Sequence, residues 1–422
     1  MGSILKASRR TVLSGLGAAI ASPYVITSAR AQSKEPIRFA IVAAQSGTAG
    51  VADHTDYTNG ATLAVKQINA AGGVNGREIK IELHDIDILT PEGTQTAFRK
   101  VADSKPHAIG CAFVLIRLAA IEGLGDSKAP YLTGDTSEQL VNEIKDKAPK
   151  YNHVFQVDPP EIYYGRMYPK FLDTLAAGGT WKPINNKVHL IREQSSYNMT
   201  IAREMVAHMK DSKFEIAKIT DIQYPVQDWG PVMQDVKEIG AGSIMLDYWV
   251  GAEEAAFCQQ FVADPVKGAL VYIQYGPSQP EFLNLAGPAA EGFVWSTVLG
   301  TYADEKGMAF RKAYAAAYPG IIGLCYTGSA YDTVNFLAEA WKTVPAEDFK
   351  GVADYVHSHV FRGVTGAINM NNDYHAALHY PLQTTDLNNG MAQLFFQVQG
   401  GQHKIIQPDP LAESKFRNVP WI

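Results

Sequence analysis

The chain has 422 residues, 46% of them hydrophobic, with 37 Lys or Arg against 43 Asp or Glu and three cysteines. That length provides for two or three domains with ample core, and an acidic chain without Lys/Arg clusters is excluded as a phosphate-backbone binder, so no nucleic-acid partner is expected. Cys111, Cys258 and Cys325 are odd in number and lack motif spacing, so they read as small buried hydrophobes rather than as a disulfide or metal framework.

Residues 1–31 read as an export signal and not as part of the fold. Ser8-Arg9-Arg10-Thr11-Val12-Leu13 sets a twin arginine ahead of the apolar run 12–26, and Ala29-Arg30-Ala31 offers a cleavage site before Gln32. Val12 stands where the twin-arginine pattern carries Phe, which leaves the general export route open. Gly15, Gly17, Ser22 and Pro23 interrupt the run, which falls short of the roughly 20 residues that span a bilayer, so no permanent anchor is expected. Cleavage removes four basic residues and no acid. The mature chain then holds 391 residues, with 33 basic against 43 acidic groups.

From Ile37 to Asp85 two β-rich apolar runs, 37–44 and 78–85, flank one amphipathic helix-length segment, which predicts a βαβ unit. The loop Gln45-Ser46-Gly47-Thr48-Ala49-Gly50 ends the first strand and leaves backbone N–H groups and hydroxyls for a ligand, with His54 beyond it as a further candidate contact. The helix turns Ala61, Leu63, Ala64, Val65 and Ile68 inward and closes at Gly72-Gly73.

Ser46-Gly47, Asn59-Gly60-Ala61, Ile68-Asn69 and Gly72-Gly73-Val74-Asn75-Gly76, in this order around strand, helix and strand, resemble the opening of the leucine/isoleucine/valine-binding family of periplasmic solute-binding proteins. The resemblance implies a type I periplasmic binding protein fold: α/β, two doubly wound parallel-sheet lobes joined by a three-segment hinge, with no cofactor and no enzymatic activity. It also implies a small polar solute (amino acid, organic acid or amide), an inner-membrane ABC permease as partner and a periplasmic location after cleavage near Ala31. A ligand sensor of the same fold, signalling to a membrane receptor or regulator, is the alternative.

The alternation continues. A helix over 91–102 has Thr90 as N-cap and Pro91 at its first position, a strand follows at 107–113, a helix at about 118–127, and a strand reaches Thr133-Gly134. After Val154-Phe155-Gln156-Val157 a second series predicts strands at 187–193, 214–222, 243–249 and 269–275. Asp228 in Gln227-Asp228-Trp229 reads as a helix N-cap. Helices at about 303–317 and 326–342 return to the first lobe, and 394–406 reads as a hairpin turning at Gly400-Gly401. The expected division is lobe 1 at 32–157 plus 298–364 and lobe 2 at 158–297 plus 365–422.

The resemblance places ligand contacts on loops after strands: Thr133, Asp135 and Thr136 in the first lobe with Tyr331, and Tyr197, Tyr248 or Trp249, and Ser278 in the second. Tyr and Trp suit such loops because one side chain gives flat apolar contact and a directed hydrogen bond. Two positions depart from the family. Arg117 follows Val114-Leu115-Ile116 where relatives carry small hydroxyl residues, and reads either as a bidentate carboxylate holder in the cleft or as a solvated helix-start residue. Ser278 stands where relatives place an acid for the ligand's ammonium, so Asp135, Asp247 or Asp332 substitutes or the ligand lacks an ammonium. The family's bridge to the cysteine near the third strand is not expected, because the partner region reads His84-Asp85-Ile86-Asp87-Ile88.

Enzyme motifs are missing: no G-x-S-x-G elbow, P-loop, H-E-x-x-H or strand-following G-x-G-x-x-G occurs. His375 and His379 are spaced i,i+4, with His357 and His359 near in sequence, but no carboxylate or cysteine stands at ligand spacing, so no metal is expected.

Overall fold

A computed structural model of the chain describes residues 35–47, 49–320 and 323–421. The expected export segment lies outside them. The first sheet is entirely parallel and is built from β1 (Ile37–Ala43), β2 (Ile79–Asp85), β3 (Ala108–Cys111), β4 (Tyr131–Thr133) and β5 (Val154–Gln156), in the order β2-β1-β3-β4-β5. Its central strands are buried on both faces, which is why they read as continuous apolar runs rather than alternating ones. Between the strands run α1 (Val51–Ala70), α2 (Pro91–Ser104), α3 (Arg117–Gly123), α4 (Glu138–Asp146) and the short α5 (Ala148–Tyr151). Thr90 caps α2 as read, its hydroxyl accepting from Gly93 N at 3.1 Å.

The second sheet repeats the plan. The strands β6 (Lys187–Glu193), β7 (Glu215–Ile222), β8 (Ser243–Asp247), β9 (Leu270–Ile273) and β10 (Val294–Thr297) stand in the order β7-β6-β8-β9-β10, all parallel. Their helices are α6 (Ile162–Ala177), α7 (Ser196–Met209), α8 (Gly230–Ile239), α9 (Gly251–Ala263) and α10 (Phe282–Ala286). Helix α8 begins at Gly230 with Trp229 at its N-cap, so Asp228, expected as the cap, stands one residue earlier and accepts from Gly230 N at 2.8 Å. After β10 come α11 (Glu305–Ala317), α12 (Tyr326–Thr343) and α13 (Phe349–Ser358), with α12 packed along α1.

Short pairs follow: β11 (Val360–Arg362) with β12 (Ala367–Asn369), and β13 (His379–Tyr380) with β14 (Met391–Ala392). The predicted hairpin is β15 (Leu394–Gln399) and β16 (Gln402–Gln407), and it extends the second sheet antiparallel to β10.

The chain passes between the sheets three times, near 157–161, near 298–302 and between Ala377 and Leu394. Residues 375–377 run beside β5, where Gln156 N donates to His375 O at 2.9 Å and Ala377 N to Gln156 O at 3.1 Å. The third passage thus lies beyond that stretch, later in the chain than the expected boundary between 364 and 365. All three cysteines are free and buried, on β3, on α9 and just ahead of α12.

Candidate ligand-binding site

In the first sheet the strand order reverses between β1 and β3, and in the second between β6 and β8. Open α/β sheets bind ligands at the carboxyl ends of strands beside such a reversal, and a cavity occupies that position with walls from both halves. Phe113, Leu115 and Arg117 follow β3, while Asp135 and Thr136 follow β4. Ser195 and Tyr197 follow β6, Trp249 follows β8, Tyr275 follows β9, and Tyr326 opens α12. The empty space between them, open mouth included, is about 460 Å³.

The aromatic walls form a chain of ring contacts. Phe113 stacks on Tyr326 with centroids 5.7 Å apart and meets Trp249 edge-on at 6.4 Å, and Tyr326 meets Tyr275 edge-on at 6.2 Å. The tyrosine hydroxyls are engaged with protein groups. Tyr326 OH donates to Gly134 O at 3.2 Å, Tyr275 OH donates to Asp53 at 2.7 Å, and Tyr197 OH accepts from Gln274 at 3.1 Å. The Ser195 hydroxyl caps α7 and bonds Asn198. Thr136, held at φ 48, gives its hydroxyl to Asp158 and to Gly134 O.

The polar end is Arg117, only 4% exposed. Its Nη1 donates to Leu115 O and, across to the other half, to Ser196 Oγ, each at 3.3 Å. Its Nε has no hydrogen-bond partner, and no carboxylate among the described residues forms an ion pair with it. Asp135 lies close by, bracing the preceding loop by accepting from Val114 N at 2.6 Å. Burial pushes its carboxyl up to about 6, against the attraction of Arg117. Glu161, in the first passage between the sheets, is likewise raised by burial to about 7 with Arg117 pulling the other way.

Of the residues singled out from sequence, the cavity brings together Arg117, Asp135, Thr136, Tyr197 and Trp249. It leaves others outside its lining. Tyr248 is buried with its hydroxyl on Glu253 at 2.6 Å, Thr133 and Ser278 are buried off the wall, and Tyr331 bonds Gln67 at 2.6 Å on another face. The other two proposed acids serve elsewhere: Asp247 accepts from Asn198 at 2.7 Å, and Asp332 accepts the N–H groups of Val364 and Thr365 at 2.8 Å.

The loop after β1 does not offer its amides to the cavity. Asp85 accepts from Gln45 N and from the Ser46 N and hydroxyl, at 2.5 to 3.3 Å. His54 is spent internally, its Nδ1 accepting from Ala44 N at 3.0 Å. His375 and His379 do not converge either, since one stacks on Phe155 and the other on Tyr163. No cluster of three metal-ligating residues occurs among the described residues.

Sequence reasoning missed Phe113, Tyr275 and Tyr326. Tyr275 could have been noticed because Gly-Pro follows it at a strand end, a turn signal that reorients the preceding residue.

Residues 36–390 match the periplasmic binding protein family. The leucine-, isoleucine-, valine-, threonine- and alanine-binding protein of Pseudomonas aeruginosa is 21% identical over 331 residues, 76% of this chain and 82% of that protein. A solved structure of a putative branched-chain amino acid ABC transporter protein from Silicibacter pomeroyi is 27% identical, covers 92% of this chain and 100% of its own, and superposes with a TM-score of 0.83. A solute-binding protein from R. palustris in complex with benzoate is 16% identical, covers 90% and 99%, and has a TM-score of 0.69. No described helix is long and apolar enough to cross a membrane. These similar proteins are substrate-binding proteins rather than enzymes, and the chain belongs to the periplasmic binding protein family.

Proposed function

We propose that the chain is the periplasmic solute-binding component of an ABC importer, capturing an amino acid or a related small carboxylate or amide between its two lobes and delivering it to an inner-membrane permease. Residues 1–31 direct its export. We take the lobes as 32–157 plus 298–364 and 158–297 plus 365–422, except that 365–377, paired beside β5, goes with the first.

One observation supports this reading most. Arg117 is a buried guanidinium on the cavity wall without an ion-pair partner, and a buried charge in that state is costly until a counter-charge arrives. A ligand carboxylate supplies it in the planar geometry a guanidinium matches. Asp135 is the one acid among the described residues lining the cavity. An amino acid places its ammonium there, and a ligand without an ammonium leaves Asp135 without that partner, its carboxyl raised to about 6 by burial against the attraction of Arg117. The apolar body of the ligand lies against Phe113, Trp249 and Tyr326.

A thermal-shift panel of apolar and aromatic L-amino acids, benzoate and short amides tests the proposal. A solute that binds only the folded chain adds about 2.7 kcal/mol of apparent stability at one hundred times its Kd. No shift from any member would remove the reading.

A further inference from the structure

Asp53 lies in the first turn of α1, beside the first sheet, and is 2% exposed. Both of its oxygens accept from the segment after β9, which belongs to the second sheet: Oδ1 from Tyr275 OH at 2.7 Å, and Oδ2 from Gln279 Nε2 at 2.7 Å. The same Gln279 amide donates to Trp249 O at 3.3 Å and accepts from Gly251 N at 2.6 Å. One carboxylate of the first lobe thereby ties two aromatic walls of the cavity, Tyr275 directly and Trp249 through Gln279. Neither Asp53 nor Gln279 lines the cavity.

Tyr275 is held in an unusual backbone state. Its φ of 63 and ψ of −50, with Gly276 N donating to Gln274 O at 2.7 Å, make it the centre of a γ-turn of the positive-φ kind, which a bulky residue adopts only when its surroundings hold it there. The turn aims the ring at the cavity and the hydroxyl at Asp53. On the opposite rim a longer hydrogen bond, 3.3 Å, runs across the cleft from Arg117 to Ser196.

We infer that Asp53, with Tyr275 and Gln279, forms a clasp across the cleft that positions the Tyr275 and Trp249 walls and sets how long a captured solute is retained. This rests on the reading that two lobes close on a solute. Asp53 and Gln279 act as positioning residues, since their effect on ligand passes through the two rings. Restraining the closed arrangement slows opening, so the clasp acts on dissociation more than on association, as is usual for changes within one interface. Asp56 and Glu281 are the further charged groups that face Asp53.

Hydrogen exchange on the mature protein, alone and with 10 mM L-leucine or 10 mM benzoate, tests the clasp whichever solute the chain takes. Asp53→Ala, on the first lobe, is expected to speed exchange at least tenfold at Gly251, Gly276, Ser278 and Gln279, on the second, in at least one of these conditions. Amides of β1 and β9 should keep their protection, which shows that the fold is intact. Tyr275→Phe, which keeps the ring, should give a smaller change in the same amides, and Gln279→Ala should act at Gly251 too; these two carry the test if Asp53→Ala does not fold. Equal exchange in wild type and all folded variants under all three conditions would overturn the clasp while leaving the solute-binding reading standing. A failed thermal-shift panel with accelerated exchange would do the reverse.

Discussion

A guanidinium enclosed by protein must find its counter-charge somewhere, and Arg117 forms no ion pair among the described residues. Asp135 and Glu161 attract it without an ion pair, and its Nε is unbonded. If a ligand carboxylate completes it, Arg117→Ala should weaken binding of a carboxylate solute by about 1.5–3 kcal/mol, the range for hydrogen bonds to charged groups. Titration calorimetry with the best carboxylate of the panel measures this, and an unchanged affinity would take Arg117 out of the site. Arg117→Lys should recover part of the loss, because the charge survives and the planar fork does not. Arg117 was legible as a candidate in the sequence because it departs from the small polar residues of the family, and it does line the cavity. Tyr275 was not. A match of motifs pointed to Ser278 three residues on, and only the positive-φ turn shows that the tyrosine faces the cavity. Phe113 and Tyr326 stayed hidden for a related reason: as the end of an apolar strand and the start of an apolar helix, they carry the same pattern as core residues.

At the scale of elements the reading was fuller, because parallel strands and their helices declare themselves by apolar runs and turn residues. The βαβ opening, the capped α2 and the β15–β16 hairpin stand where periodicity set them, within a few residues. What periodicity cannot supply is why a residue is small. Asn59-Gly60-Ala61 was recognisable as a motif, and the packing of α1 on α12 gives its cause. A Cβ on Gly60 would sit 2.0 Å from the Thr327 carbonyl oxygen, so the two helices cross with backbones in contact. The other lobe has a counterpart at Gly165, where a Cβ would lie 2.2 Å from Ile201 O between α6 and α7. Because the obstacle is backbone rather than a flexible side chain, Gly60→Ala must push α1 and α12 apart. The expected cost is about 1–3 kcal/mol, as for overpacked cores, despite the higher helix propensity of alanine. Urea denaturation would show it as a lower midpoint, and a stability equal to wild type would mean that the helices part freely.

For the molecule as a whole, the buried ionisable groups set two opposed pH dependences. Burial raises Asp53 to about 7, Asp56 to about 8, Asp135 to about 6 and Glu161 to about 7. A carboxyl whose pKa is higher folded than unfolded keeps the folded chain protonated where the unfolded chain is not. Its contribution is therefore fully present below about pH 4 and is lost as pH rises through 6 to 8. Buried histidines run the other way. His54, His153 and His189 are lowered by burial to about 4, and His379 and His403 to about 3, so their contribution is present above about 6.5 and is lost as pH falls toward 3 to 4. The acids therefore erode stability on the alkaline side of about 6 and the histidines on the acid side. Melting temperature should pass through a maximum near pH 6 and decline on both flanks. Asp56 separates this from a general charge effect. It is the acid raised furthest of these four, and Tyr314 OH donates to it at 3.3 Å, a bond that an asparagine oxygen can still accept. Asp56→Asn removes the ionisation and keeps the shape, so the alkaline flank should flatten, with melting at pH 8 raised by about 2 °C or more and a smaller rise at pH 5. Calorimetric scans at pH 5, 6 and 8 on both proteins decide the matter, and an equal shift at pH 5 and pH 8 would assign the effect of Asp56 to packing instead of to its charge.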